Sequence, residues 1–573
     1  MYKLDSRMLH RILTYSEIHG TKLDQRQVIE FAKSLNLYKS ISIVCELLSL
    51  RNKTITKNSQ YLWWNLSVDV PFDGAIKYHY LNYQGPQKMD FINGAEDLLN
   101  PITHPNYHIL TLQSLLIALK LLIGYGDYSS LTDNNSDITE DDYIFVIRLA
   151  LMSIELLDYH DFCTEHFIYG NYHLNQINNI GSEIARAYYV YDVIARDKSL
   201  FSKNVQNEYL DFNSDFMNKY GYSITEYLSV MFLLCEHDVG PKNHLLFSPI
   251  YRDLKKAFEN LTNQENAKRI VNDLSLNIYE VKGWARDSIT AWWDFSKFME
   301  HPILNLPNGF FTSICDRTLI NALYEKLFWH IRECYPIESK KFNDFIGRPF
   351  EKYLQLITKQ AILNNSNYKY LDEFKYATHS STNNASSDAY IIKGNQMIIV
   401  EAKSFTPLFD SINYCDDKSI TKSLNKLFIH PVLQADKANM MILSSDKKAI
   451  FENIEDIVII SVTVDSIQAV PKYINKAIEE IQLQKKLPML SCYLNFSICE
   501  YEFLLSMIES GIDIFQVIHN YCKQSTLQPF FTYASKKTSH KCVKTKYMEK
   551  ILNEATNSME LLLFKPTNNL QCK

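Results

Sequence analysis

The chain has 573 residues, well beyond the ~250–300 that one hydrophobic core usually organises, so two or three domains are expected. Hydrophobic residues make up 46% and charged residues 22%, which excludes a disordered or fibrous chain. The formal net charge of −6 excludes a protein that sheaths long stretches of nucleic acid with an overall positive surface, so any such contact must concentrate its cations locally.

Eleven cysteines are scattered without a CxxC pair. Their spacing fits neither a zinc ribbon nor a secreted disulfide framework, so reduced thiols in a cytoplasmic protein are expected. Met1 to Arg7 lack the charged-then-apolar order of a signal peptide. The apolar run 110–123 is interrupted by Thr111, Gln113, Ser114 and Lys120, too short and too polar to span a bilayer, so no membrane partner is expected.

Up to about Pro336 the pattern is mainly helical, with apolar residues recurring three and four apart over 107–123, 141–157, 180–194 and 223–235. Breakers such as Pro101, Pro105, Gly124, Gly126, Pro241 and Pro307 separate these segments. All six tryptophans lie before Pro336, which supports a boundary near 335–341. His160, His166 and His173, interleaved with Asp161, Cys163 and Glu165, recur at intervals that do not bring them to one helix face, so no metal site is assigned to them.

From 342 to about 486 the pattern changes to mixed α/β. Pro349 suits the first turn of a helix over 349–363, whose apolar face is Ile346, Phe350, Tyr353, Leu354, Ile357 and Ala361. Strand-like segments follow at 368–376, 388–392 and 397–403. A helical stretch over 418–441 should bend or break at Pro431. The aliphatic, β-branched run 457–464 reads as a buried strand, and 467–484 as a helix, giving the order α-β-β-β-α-β-α. The rest looks helical again, best at 500–509 and 547–563. From 536 to 550, running into the second of these, Lys536, Lys537, Lys541, Lys544, Lys546 and Lys550 form the most basic stretch of the chain, opposed only by Glu549. The expected fold class is therefore multidomain α and α/β: a helical region over 1–336 with a recognition or regulatory role, an α/β core over 337–486, and a helical extension over 487–573.

The chemistry-bearing stretch is the pair of apolar runs that flank Lys393-Gly394-Asn395-Gln396. A glycine at the first central position suits a two-residue type II′ hairpin turn. Counting outward from Gly394 and Asn395 sets Asp388 opposite Glu401, with Cβ atoms ~4.5–5.5 Å apart. Strand alternation puts Glu401 and Lys403 on one face, with Val400 and Ala402 on the other, towards the core. Two carboxylates this close repel unless a cation lies between them or one is protonated. Mg²⁺ takes one or two carboxylates together with water and phosphate oxygens. Lys403 adds a compact positive charge beside the pair. The parts fit phosphodiester hydrolysis. A Walker phosphate loop and a Gly-x-Ser-x-Gly elbow are both missing from the sequence, which excludes a P-loop motor and that form of serine hydrolase.

Asp388, twelve intervening residues and then Glu401-Ala402-Lys403 resemble the signature of the PD-(D/E)xK nucleases, a superfamily that includes many restriction endonucleases and DNA-repair nucleases. Gly347-Arg348-Pro349-Phe350-Glu351 resembles the family's Gly-x-x-Phe-Glu context on the preceding helix, and the element order over 342–486 agrees with the family core. Ser387 stands where the family has proline. The spacing alone recurs by chance in large proteins, and Glu401–Lys403 alone is also what a surface ion pair looks like. The hairpin geometry, Glu351 and the element order together select the nuclease reading.

The resemblance implies a restriction-endonuclease-like α-β-β-β-α-β core. It implies Mg²⁺, with Mn²⁺ able to substitute, held by Asp388, Glu401, the Ala402 carbonyl and, as an accessory ligand, Glu351. Lys403 would be the catalytic lysine and Gln434, on the following helix, a further active-site residue. The implied activity is a DNA-cleaving endonuclease of the restriction or phage-defence kind. A homodimer is expected for double-strand cutting, and the N-terminal region is expected to answer to a protein partner or an activating signal. In that setting Lys536, Lys537, Lys541, Lys544 and Lys546 would contact DNA phosphates with a steep salt dependence. The alternatives are RNA cleavage by the same centre and a non-catalytic interaction protein on a nuclease-like fold.

Overall fold

The computed structural model describes residues 3–4, 11–51, 54–55, 60–61, 64–65, 70–132, 137–156, 170, 179–239, 250–291, 293–363, 365–378, 381–467 and 470–563. His160, His166, His173 and the acidic and thiol residues among them lie outside these.

Helices form where the apolar spacing predicts them. α1 (Leu37–Leu50), α2 (Leu112–Tyr125) and α3 (Glu140–Glu155) pack on one another. Thr111 and Thr139 start α2 and α3 with reciprocal capping boxes, which satisfy first-turn N–H groups that have no intrahelical partner. α4 (Ile180–Ala187) continues into a π-helical turn, Tyr188–Ile194, and α5 (Ile224–Val239) follows. This region also holds a small four-stranded sheet, made of Arg252–Asp253, Ser275–Asn277, Ile303–Asn305 and Phe310–Ser313. Strands of two to four residues are too short to show a period of two, which is why the sequence reads as mainly helical here.

α6 (Gly347–Leu363) precedes a five-stranded sheet. Its strands are β1 (Lys369–Asp372), β2 (Ala389–Lys393), β3 (Gln396–Lys403), β4 (Asp456–Thr463) and β5 (Leu490–Ser497), adjacent in that order. β1–β2 and β2–β3 are antiparallel, whereas β3–β4 and β4–β5 are parallel. The crossover from β3 to β4 runs through α7 (Asp417–Leu424), a π-helical turn (Asn425–Ile429) and α8 (His430–Ile442); α9 (Pro471–Gln484) links β4 to β5. Pro431 acts as expected. It has no N–H to give to the Leu427 carbonyl four residues earlier. That carbonyl instead accepts from Ser461 Oγ on β4 (2.7 Å) and Asn495 Nδ2 on β5 (3.3 Å).

Alternation divides the sheet between two cores. Ala389, Ile391, Ile398, Val400 and Ala402 join Phe350, Tyr353 and Leu354 of α6 in one, which also takes in α4 and α5. Tyr390, Met397 and Ile399 join Leu427, Val432 and Ala435 in the other, which extends to α1, α2 and α3. Both faces are covered, so the inner strands read as unbroken aliphatic runs. α10 (Ile498–Glu509) packs beside α6, and α11 (Lys546–Leu563) against α4 and α5.

The sheet continues past Lys486, where the sequence suggests helix. Cys492, Leu494 and Phe496 of the edge strand β5 face the core that holds α6, whereas Leu490, before a register shift, joins the other. Cys492 is joined by a disulfide to Cys522, which corrects the expectation that every thiol is reduced; a separation of 30 residues leaves no motif to read. Among the described residues, no helix is long and apolar enough to cross a membrane.

Candidate active site

Three elements meet at one end of the sheet: the start of α6, the start of β2 and the end of β3. The β2–β3 hairpin turns through Gly394 and Asn395, so that Lys393 pairs with Gln396 and Ala389 with Val400. Gly394 has φ +60° and Asn395 is not among the residues with positive φ, the combination a type II′ turn requires. The same register carried one residue beyond β2 sets Asp388 across from Glu401.

Each group is held by named partners. Asp388, half-buried, accepts a hydrogen bond at Oδ2 from the Ala402 N–H (2.7 Å). Gln355 Nε2, one turn after Glu351 on α6, donates to the Asp388 carbonyl (3.2 Å). Glu401 is buried, and its Oε1 accepts from Lys403 Nζ at 2.9 Å. Glu351 Oε2 pairs with Arg348 Nη1 at 2.9 Å. A Cβ on Gly347 would lie 3.5 Å from both Glu351 Oε1 and Ser404 Oγ, so the first turn of α6 abuts the residue that follows Lys403.

The electrostatics follow from that crowding. Burial raises the Asp388 carboxyl well above its ordinary value, and the charges of Glu401 and Glu351 raise it further, against the Ala402 N–H and Lys403. Burial also raises Glu401, opposed by Lys403 and by a hydrogen bond from Ser387. For Lys403, burial works against the charge, but Glu401, Asp388 and Glu351 outweigh it and the pKa rises. Lys403 is therefore a fixed cation at neutral pH.

Several participants are not legible in the sequence. Glu373, just past β1, has a raised carboxyl pKa from partial desolvation and from the charges of Glu351 and Glu401, which makes it a fourth acid at this rim. Ser387 donates its N–H to the Tyr390 hydroxyl (3.2 Å) and accepts at Oγ from Asn439 Nδ2 (3.1 Å). Asn439, buried on α8, accepts in turn from the Tyr390 hydroxyl (2.9 Å). A proline at 387 would supply neither the N–H nor the hydroxyl, so it is the serine at this position that ties Glu401 to α8 through Asn439.

Gln434 is exposed on α8, whose buried residues are Pro431, Val432, Ala435, Asp436, Asn439 and Ile442. Among the described residues, no hydrogen bond joins Gln434 to Asp388, Glu401 or Lys403. Lys536, Lys537, Lys541 and Lys546 are exposed and Lys544 is half-buried. The Lys546 N–H bonds Glu509 Oε2 (2.9 Å) at the end of α10, and Asn365, just past α6, donates to the neighbouring Ile508 carbonyl (2.8 Å). Glu351 lies near one end of α6 and Lys546, the last of these five lysines, near the other, roughly 20 Å apart at ~1.5 Å rise per residue.

Among the described residues, no three His, Cys, Asp or Glu side chains converge into a ready-formed metal-binding group. Glu401 faces Lys403 and Glu351 faces Arg348 instead. The donor set nevertheless fits Mg²⁺, because Asp388, Glu401 and Glu351 are hard oxygen ligands whose mutual repulsion a divalent cation would relieve. No family model matches the chain, and neither a curated protein nor a solved structure matches it.

Proposed function

We propose that this chain is a Mg²⁺-dependent nuclease that hydrolyses DNA phosphodiester bonds at the end of β3, on a restriction-endonuclease-like core of the PD-(D/E)xK kind. The observation that carries the reading is the hairpin register that opposes Asp388 to Glu401, with Lys403 Nζ 2.9 Å from Glu401 Oε1. In this reading Asp388, Glu401 and the Ala402 carbonyl hold the metal, with Glu351 as the accessory ligand and Mn²⁺ able to substitute. When bound, the metal acidifies water and offsets charge on the phosphodiester.

The chain's own residues do the positioning. The Ala402 N–H fixes one Asp388 oxygen, Gln355 fixes the Asp388 backbone, and Ser387 with Asn439 fixes Glu401. Lys403 keeps its proton and places a compact positive charge where negative charge grows on the phosphate oxygens. Glu373 and Arg348 complete the charged rim. The N-terminal region receives a protein partner or activating signal, and a homodimer cuts both strands. The restriction or defence setting rests on fold-level analogy.

The test is incubation of purified protein with plasmid DNA and with RNA, each with Mg²⁺ or EDTA, beside Asp388→Asn and Lys403→Ala variants. DNA cleavage with Mg²⁺ alone, lost in both variants, is expected. Cleavage of RNA only would replace the substrate, and an unchanged rate in Lys403→Ala would overturn the mechanism.

A further inference from the structure

A cavity of about 760 Å³ lies between two short helices of the N-terminal region, Ser296–Glu300 and Leu327–Glu333, and the segment 406–413 that leads away from β3. Asp465, two residues past β4, forms part of the same wall. The volume is in the range of small-molecule sites.

The lining selects against phosphate. Burial, and then the neighbouring Asp465, push the Glu325 carboxyl up to about 7, and burial raises Asp465 too, so neither counts as a full negative charge; Asp273, Glu300 and Glu333 still outnumber the cationic Arg317 and Lys326. The two imidazoles, His301 and His330, add no charge. Burial lowers both, and the Lys326 charge lowers them further, taking His330 to about 3. Aromatic rings make up much of the remaining surface. Trp293 and Phe295 are buried, whereas Trp329 and Phe409 are 50% and 53% exposed although both line the cavity.

The acids are pre-oriented: Glu300 Oε2 pairs with Lys297 (2.7 Å), and Glu333 accepts from the Tyr220 hydroxyl (2.8 Å).

We propose that this cavity binds a small organic cation carrying several N–H donors, held by carboxylates and by the faces of Trp329 and Phe409. Rings attract cations through their quadrupole, and N–H groups bonded to carboxylates make the stronger, charge-assisted kind of hydrogen bond. A phosphorylated ligand would meet like charge instead. The segment 406–413 continues directly from Lys403 and Ser404, so occupancy bears on the end of β3. The binding itself does not depend on the hydrolytic reading.

Calorimetric titration of the full-length protein at physiological salt, with spermidine, adenosine monophosphate and inorganic phosphate as probes, tests this. Saturable binding of spermidine is expected, with neither phosphate compound binding. Glu300→Gln/Glu333→Gln and, separately, Trp329→Ala should each weaken spermidine by ~10-fold or more, from the loss of charge-assisted and cation–π contacts. Circular dichroism melts verify that both variants fold, and Trp329 is exposed enough to be replaced without opening a core. Asp388→Asn should keep the spermidine affinity. The proposal is overturned by the absence of saturable spermidine binding or by unchanged affinity in both cavity variants. Loss of binding in Asp388→Asn, which would place the amine at the carboxylate pair, overturns it as well, as does tighter binding of either phosphate compound.

Discussion

Replacing Lys403 with methionine keeps the apolar stem, one atom short, and removes the charged ammonium. Lys403 Nζ lies 2.9 Å from Glu401 Oε1, with the two side chains 23% and 5% exposed. At an effective dielectric of ~20, a contact of this length is worth about 6 kcal/mol before desolvation is counted. The loss is capped well below that, because Glu401 can take up a proton. Holding a carboxyl of ordinary pKa 4.5 protonated at about pH 7 costs about 3.4 kcal/mol, at ~1.36 kcal/mol per unit. Burial already raises Glu401 with Lys403 in place, so part of that cost is present in the wild type. The expected destabilisation by Lys403→Met is therefore about 1–3 kcal/mol at about pH 7. Because the folded pKa of Glu401 lies above its unfolded value, folding takes up a proton. Stability accordingly falls as pH rises above 4.5, and falls more steeply in the variant. Below that pH the two proteins should converge. Urea unfolding in EDTA at about pH 4 and pH 7 measures both ends. An equal difference at the two pH values would refute the claim that Lys403 compensates the Glu401 charge.

Asn439→Ala should cost about 2–3 kcal/mol by stranding the Ser387 and Tyr390 hydroxyls, and should slow cleavage. The exposed Gln434→Ala should stay within ~0.5 kcal/mol in the same denaturation assay, and a larger effect at Gln434 would reverse the ranking of these two α8 residues. Gly394→Ala should lose about 1–2 kcal/mol from backbone strain alone, since nothing lies within 4 Å of a Cβ there. A loss near zero in thermal melts would argue against the tight turn. Removing two of the basic residues, Lys537→Ala/Lys541→Ala, should flatten the slope of log affinity for duplex DNA against log salt by about 2, and an unchanged slope would take these lysines out of the interface.

The parts of the fold that were legible were those governed by local rules. Gly394 fixes the turn, the turn fixes the register, and the register sets Asp388 against Glu401, so the centre of the candidate site follows from counting. The helix over Gly347–Leu363 and the strand over Asp456–Thr463 lie within two residues of their expected ends, because apolar spacing and β-branched runs are local signals. What escaped depends on contacts distant in the chain. Asn439 touches Ser387 across 52 residues and Gln355 reaches Asp388 across 33, with no spacing that marks either. Glu373 joins the carboxylates because β1 ends beside β2, which only the sheet order decides. β5 was missed because an edge strand has a mixed surface, and the Cys492–Cys522 disulfide because it joins that strand to a later helix. Both cores run between the N-terminal helices and the sheet, so the described helices before residue 337 are packed against the candidate site's own scaffold.

The claim on which the account rests is that Asp388 and Glu401 together hold a divalent cation. Titration of Mn²⁺ into the metal-free protein, followed by electron paramagnetic resonance of the free ion, tests it without requiring a substrate. Saturable Mn²⁺ uptake that Mg²⁺ displaces, and that both Asp388→Asn and Glu401→Gln abolish, is the predicted result. Undiminished uptake in those two variants would contradict it.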